Sequence, residues 1–244
     1  MQREPEIDFL SRKGISVGER LIFALDVSSS EEAKRWVHLL GNSVHFYKLG
    51  LQLFMAGGYF ELVRWLRDQN KRVMVDLKFF DVPETVRLAV RELRKYDATF
   101  ATVHGNDRML QAAVQEKDEL GILAVTVLTS LDQKDIEDLG FQCDVQSLVL
   151  SRAKRALALG CDGVISSGRE VLQLRQSFGE SFVVVTPGIR PVENVDDQKR
   201  TVDVEEAFRN GADYIVVGRP IRDAADPKAA AQRIQDRIVE LFGG

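Results

Sequence analysis

Short apolar runs, many of them β-branched, recur near residues 21–26, 45–49, 72–78, 99–104, 121–128, 163–166, 182–186 and 214–218. Runs of this length and composition predict buried strands. Between them lie segments with apolar residues at helical spacing, near 30–41, 53–70, 84–96, 107–118, 145–160, 169–178 and 204–210, and another closes the chain at 227–242. Ser30, Asp107, Asp144, Asp203 and Asp226 carry the short polar side chains that start helices. Nearly continuous apolar strands alternating with amphipathic helices predict a parallel sheet covered by helices. Eightfold alternation, with no Pro/Gly/Ser-rich linker and no Gly-x-Gly-x-x-Gly after the first strand, favours a (β/α)₈ TIM barrel of the α/β class over an open doubly wound sheet. The expectation is a single domain over residues 1–244, with a short helix and connector at about 1–18 against the closed end of the barrel.

The ends of the predicted strands break the apolar pattern. Leu21-Ile22-Phe23-Ala24-Leu25 runs into Asp26, Phe46-Tyr47 into Lys48, and Val73-Met74-Val75 into Asp76-Leu77-Lys78, with Asp81 just before the turn at Pro83. Alternate side chains of a strand share a face, so Asp76 and Lys78 are expected to point the same way. One Asp-x-Lys pair reads most simply as a salt-bridged strand end. Three successive ends finishing in ionisable residues, in a fold whose active sites lie at the C-terminal ends of strands, point instead to chemistry. Lys48 is flanked by Tyr47 and Leu49, and a buried ammonium there needs carboxylates such as Asp26 and Asp76.

Two further strand ends suit an oxyanion. After the seventh comes Thr186-Pro187-Gly188-Ile189-Arg190, and after the eighth Gly218-Arg219-Pro220. Glycine lets backbone N–H groups approach closely, arginine offers a fixed cationic fork, and barrel loops after strands seven and eight frequently bind phosphate. The polar stretch from Thr186 to Gln198-Lys199-Arg200 contains no helical pattern and reads as a lid that phosphate would latch. Leu128-Thr129-Ser130 could read the edge of a heterocycle or simply begin a turn.

Composition narrows the partners. The chain is 45% hydrophobic with a formal net charge of -4, and no long Lys/Arg stripe with interleaved aromatics suggests a nucleic-acid surface. Cys143 and Cys161 have neither disulfide-framework nor zinc spacing, and His38, His45 and His104 fall on different elements, so no metal cluster is expected. Met1 to Asp8 lacks the basic start and apolar centre of a secretory signal, and no apolar run approaches the roughly 20 residues of a membrane span. A cytoplasmic protein without membrane contact is expected.

Taken together, Asp26, Lys48, Asp76-Leu77-Lys78-Phe79-Phe80-Asp81-Val82-Pro83-Glu84-Thr85, Leu128-Thr129-Ser130, Thr186-Pro187-Gly188-Ile189-Arg190 and Val217-Gly218-Arg219-Pro220 resemble the orotidine 5′-phosphate decarboxylase family in its bacterial-type branch, in order and over essentially the whole chain. Asp-x-Lys-x-x-Asp by itself is shared with other phosphate-binding barrel enzymes; Lys48 and Pro-Gly-Ile-Arg make the resemblance specific. The chain departs from it at Glu84, where the family commonly has Asn, and at Val103-His104-Gly105-Asn106-Asp107, where a Gly-rich, small-residue form is usual.

The resemblance implies decarboxylation of orotidine 5′-monophosphate to uridine 5′-monophosphate, in pyrimidine nucleotide synthesis, with no cofactor and no metal. It implies Lys78 as proton donor to carbon 6, Asp76 against the departing carboxylate, and Lys48 linking the charged array. It further implies Asp26 and Lys48 at the ribose, Thr129 at the pyrimidine edge, and Gln198, Gly218 and Arg219 at the phosphate, with Arg190 on the lid. Asp81, a catalytic group that orders Lys78 and reaches the ribose, and Thr85 would come from the partner subunit of a homodimer. The rival readings are a Mg²⁺-dependent sugar-phosphate lyase of the same superfamily, which needs an acidic ligand where Lys48 stands, and a catalytically silent nucleotide-binding barrel.

Overall fold

The computed structural model describes residues 9–189 and 202–243. Its strands are β1 (Leu21–Leu25), β2 (Phe46–Gly50), β3 (Arg72–Phe79), β4 (Phe100–His104), β5 (Gly121–Val125), β6 (Gly163–Ile165), β7 (Val183–Pro187) and β8 (Tyr214–Val217). They pair in parallel in chain order, and β8 returns to β1, closing a barrel. Around it run α1 (Ser30–Leu40), α2 (Leu51–Ala56), α3 (Tyr59–Asp68), α4 (Pro83–Leu93), α5 (Asp107–Gln115), α6 (Gln133–Asp138), α7 (Val145–Ala158), α8 (Gly168–Phe178), α9 (Val204–Arg209), α10 (Arg219–Arg222) and α11 (Pro227–Phe242). The (β/α)₈ expectation is met.

Strand alternation divides the core in two. Outward residues such as Phe23, Tyr47, Val75 and Val103 pack under the helices, while Ile22, Phe46, Met74, Phe100, Leu123, Val185, Tyr214 and Val216 fill the barrel interior. The rings of Phe46, Phe100 and Tyr214 meet one another with centroids 5.5–5.8 Å apart and form an apolar floor. Two residues further along the same inward rows the side chains become polar: Lys48 follows Phe46, Asp76 follows Met74, and Thr102 follows Phe100. The floor therefore excludes water from beneath a layer of charge.

Several boundaries differ from the expectation. The single helix expected over 53–70 is two, α2 and α3, because Gly57 and Gly58 take φ of +84° and +68° and turn the chain between them. The strand expected over 121–128 ends at Val125, and α6, not anticipated, begins after Asp132, which exchanges capping hydrogen bonds with Asp135. Asp144, Asp203 and Asp226 do cap α7, α9 and α11, but α1 is capped by Ser29 rather than Ser30, and Asp107 is the first residue of α5 rather than its cap. Residues 9–16 form no helix; a 3-10 turn at Val17–Glu19 is the only helical piece before β1 among the described residues. The segment is tied to the closed end by side chains instead, with Ser11 and Lys13 both donating to Asp213.

Candidate active site

The C-terminal mouth of the barrel holds a cavity of about 470 Å³ lined by Asp26, Lys48, Asp76, Lys78, Thr129, Gly218, Arg219 and Arg222, with Met74, Ile165 and Val216 among its apolar residues. The charges form a chain. Lys48 Nζ lies 3.3 Å from Asp26 Oδ1 and 3.2 Å from Asp76 Oδ2, and Lys78 Nζ lies 2.9 Å from Asp76 Oδ1. Asp76 is thus held between two ammonium groups. Burial by itself favours its neutral acid, yet Lys48 and Lys78 outweigh burial and depress its pKa. Burial likewise favours a neutral amine at Lys48, but the carboxylates of Asp76 and then Asp26 raise its pKa. Asp76 and Lys48 consequently stay ionised together at neutral pH.

How β3 delivers these groups is not simple alternation. Asp76 and Lys78 do face the cavity together while Leu77 packs into the outer core. Between Val75 and Phe79, however, the β3–β4 register shifts, and Lys78 adopts φ of +47°, rare for a residue with a Cβ. The bulge re-aims Lys78 back over Asp76. Thr102, fully buried on β4, bonds both: its hydroxyl donates to Asp76 Oδ1 at 3.0 Å and accepts the Lys78 backbone N–H at 2.9 Å. Sequence reasoning missed Thr102, although a polar residue at an inward position of an apolar strand was the signal for it. Arg222 was missed as well; it donates to the Asp26 carbonyl at 3.2 Å and reaches the cavity from α10.

Other expected residues fall elsewhere. Asp81 and Thr85 are exposed and do not line the cavity of their own chain, and Asp81 accepts the Val82 N–H at 2.6 Å. Arg190 and Gln198 lie outside the described residues. No group of three or more His, Cys, Asp or Glu among the described residues is placed to hold a metal ion. No helix among them is long and apolar enough to cross a membrane.

With this geometry in view, the comparisons are specific. A model of the family described as "Orotidine 5'-phosphate decarboxylase / HUMPS family" matches residues 19–234. The orotidine 5′-phosphate decarboxylase of Methylococcus capsulatus (strain Bath) is 64% identical over 237 residues, covering 96% of this chain and 98% of that one. This chain belongs to the orotidine 5′-phosphate decarboxylase / HUMPS family.

A second decarboxylase of that name, from Xanthomonas euvesicatoria, is 50% identical over 92% of this chain and 93% of its own. The crystal structure of the orotidine 5′-phosphate decarboxylase of Lactobacillus acidophilus superposes with a TM-score of 0.81 at 34% identity, covering 90% of this chain and 99% of that one. Glu84 and the stretch 103–107, where the sequence is expected to depart from the family pattern, both have definite partners. Glu84 binds Arg87, which also contacts Glu116 of the next helical layer, so the position joins α4 to the end of α5. His104 ends β4 edge-on to Phe80, with ring centroids 4.8 Å apart; burial, and secondarily Arg152, lower its pKa and keep it neutral. At Gly105 a Cβ would stand 2.8 Å from the Val125 carbonyl oxygen, so this turn accepts only glycine.

Proposed function

We propose that the chain is the orotidine 5′-phosphate decarboxylase of its organism, converting orotidine 5′-monophosphate to uridine 5′-monophosphate and carbon dioxide. The observation that carries this reading is the Lys48–Asp76–Lys78 array opening into the same cavity as Gly218 and Arg219. When the bond from carbon 6 to the carboxylate breaks, its electron pair stays on carbon 6 and carbon dioxide leaves. Fixed charges then act where water would have to reorganise. Asp76, held ionised, stands against the substrate carboxylate, and the Lys78 ammonium faces the developing carbanion and gives it a proton. Solvent later reprotonates the amine. Lys48 balances Asp76 so that the array neither collapses nor neutralises itself by proton transfer.

Asp26 and Lys48 are suited to ribose hydroxyls, Thr129 to the pyrimidine edge, and Gly218, Arg219 and Gln198 to the phosphate, with Arg190 on the closing segment. Phosphate contacts far from carbon 6 raise kcat to the extent that they stabilise the closed, reactive form. No cofactor enters this reading, and Lys48 disfavours a cation beside it. Incubation with orotidine 5′-monophosphate, with and without a chelator, tests it: release of carbon dioxide and uridine 5′-monophosphate in both arms is expected. A strict Mg²⁺ requirement would point to a sugar-phosphate lyase, and binding without turnover to a silent barrel.

A homodimer and a cytoplasmic location belong to the same reading. The dimer is supported by the exposure of Asp81 and Thr85 beside Phe80 and Val82, which are 62% and 61% exposed, an apolar pair poorly suited to water. If Asp81 and Thr85 complete the neighbour's site, Lys78→Ala and Asp81→Ala subunits refolded as an equal mixture place both lesions in one site of each hybrid. About half the dimers are then hybrids and about a quarter of all sites intact, by symmetry. Recovery near a quarter of wild-type activity is expected; no recovery despite demonstrated hybrids would put Asp81 in its own chain's site.

A further inference from the structure

We infer that Thr102 is a positioning residue whose hydroxyl locks the β3 bulge and so sets the proton-donating Lys78 against Asp76. This rests on the decarboxylase reading only for the kinetic part of its test. The hydroxyl owns one proton. An ionised carboxylate can only accept and a backbone N–H can only donate, so the hydrogen bonds at 3.0 Å to Asp76 Oδ1 and 2.9 Å from the Lys78 N–H fix its orientation completely. Thr102 is fully buried, so its hydroxyl has no bulk solvent to turn to.

The two bonds act where β3 has left its register with β4, although Asp76 still pairs with Gly50 of β2 on the other side. The parallel ladder with β4 runs through Val75↔Ala101 and resumes only at Phe79↔Val103, so residues 76–78 lie in a gap of the pairing register. In that gap Lys78 holds φ of +47°, a conformation that persists in a non-glycine residue only when surrounding groups over-determine it. Thr102 supplies the side-chain bond that does so. Its other bond ends on Oδ1, the same oxygen that receives Lys78 Nζ at 2.9 Å, whereas Oδ2 is taken by Lys48. One hydroxyl therefore fixes both the backbone from which Lys78 springs and the carboxylate oxygen on which its ammonium rests. Loss of the hydroxyl frees the bulge to relax and Asp76 to turn about its χ2, moving Nζ from its place over the substrate carbon without touching the phosphate, ribose or base contacts.

The test compares Thr102→Val, nearly isosteric but without the hydroxyl, with Thr102→Ser, which keeps it. Thr102→Val is expected to lower kcat about 10- to 100-fold while the Kd for uridine 5′-monophosphate changes less than about threefold; Thr102→Ser stays within about threefold of wild type in both. Thr102→Ala serves as a second hydroxyl-free variant should Val crowd the site. In the same proteins, amide hydrogen exchange at Lys78 should accelerate in Thr102→Val and Thr102→Ala but not in Thr102→Ser. A Thr102→Val enzyme with unchanged kcat, a loss confined to nucleotide binding, or a Thr102→Ser enzyme as impaired as Thr102→Val would each overturn the inference. If the wild-type protein fails to decarboxylate orotidine 5′-monophosphate, the functional reading falls, while the exchange measurement still decides whether Thr102 locks the bulge: unchanged exchange in the hydroxyl-free variants would refute it.

Discussion

Among the described residues the barrel carries a cluster of buried charge at each end, and the one at the mouth lines a cavity. At the closed end Asp213 and Arg175 are fully buried and paired at 2.8 Å. Asp213 also accepts from Ser11, Lys13 and the Val184 N–H, and Arg175 donates to the carbonyls of Gly211 and Phe182. Backbone and side-chain partners from β7, β8, the α8 end and the N-terminal segment leave this pair little capacity for anything else. At the mouth, Lys78 and Asp26 keep 35% and 47% of their side-chain surface, and the groups they pair with line the cavity. Burial of charge thus does not distinguish a structural cluster from a working one. What distinguishes them is bonding capacity held in reserve and directed at a space that a ligand can enter.

Removing a charge from each end should break the molecule in different ways. Lys78→Ala takes away the proton donor and its electrostatic effect together and should lower kcat by at least about 10⁴-fold, with product nucleotide still bound. Steady-state kinetics and product titration check this; near-normal turnover would remove Lys78 from the chemistry. Asp213→Ala leaves the Arg175 guanidinium buried without its carboxylate, which should cost about 3–5 kcal/mol of stability. For a chain of this size that lowers Tm by roughly 6–20 °C. Kinetic constants measured well below the new Tm should stay near wild type, and a selective loss of kcat there would erase the distinction between the two ends.

Arg219→Ala should have an intermediate effect, because a charge-assisted contact is worth roughly 1.5–3 kcal/mol, or about 10- to 150-fold in kcat/KM. The loss should shrink for a substrate lacking its phosphate. An equal loss with both substrates would mean that Arg219 serves the fold rather than the ligand.

The smallest expected effect is on pH-dependent stability. Asp76 has a depressed pKa in the folded protein, so its contribution is present above the ordinary value of 3.8 and is lost as pH falls through the folded value. Lys48 has a raised pKa, so its contribution is present below the ordinary value of 10.5 and is lost as pH rises through the folded value. The urea midpoint of wild type should therefore owe no pH dependence to either group between about pH 5 and 9, whereas in Asp76→Asn burial at Lys48 is opposed by Asp26 alone, so the Lys48 pKa is lower than in wild type and the alkaline loss of stability is smaller. An Asp76→Asn protein that loses as much stability as wild type at alkaline pH would show that Asp76 does not hold Lys48 charged.

Much of this protein could be read before any coordinates were known. Apolar runs near 21–26 and 45–49 ended in Asp26 and Lys48, although the structure carries β2 on to Gly50, and the barrel class followed from eight buried runs separated by amphipathic ones, because periodicity is a local property of the chain. The residue chemistry at those ends, read with a family resemblance, also placed Asp76, Lys78, Gly218 and Arg219 at one mouth, and all line one cavity. What tertiary structure alone decided are the features in which distant segments constrain one another. The β3 bulge, the positive φ of Lys78 and the hold of Thr102 depend on how β3 registers against a strand more than 20 residues later, where no local pattern reaches. The N-terminal segment shows the same limit from the other side: a short helix and connector was expected over about 1–18, and local pattern gave no sign that Ser11 and Lys13 would both donate to Asp213, some 200 residues away. A sequence states which groups must be satisfied; only the closed barrel determines which partners arrive to satisfy them, since the fold brings those partners together from opposite ends of the chain.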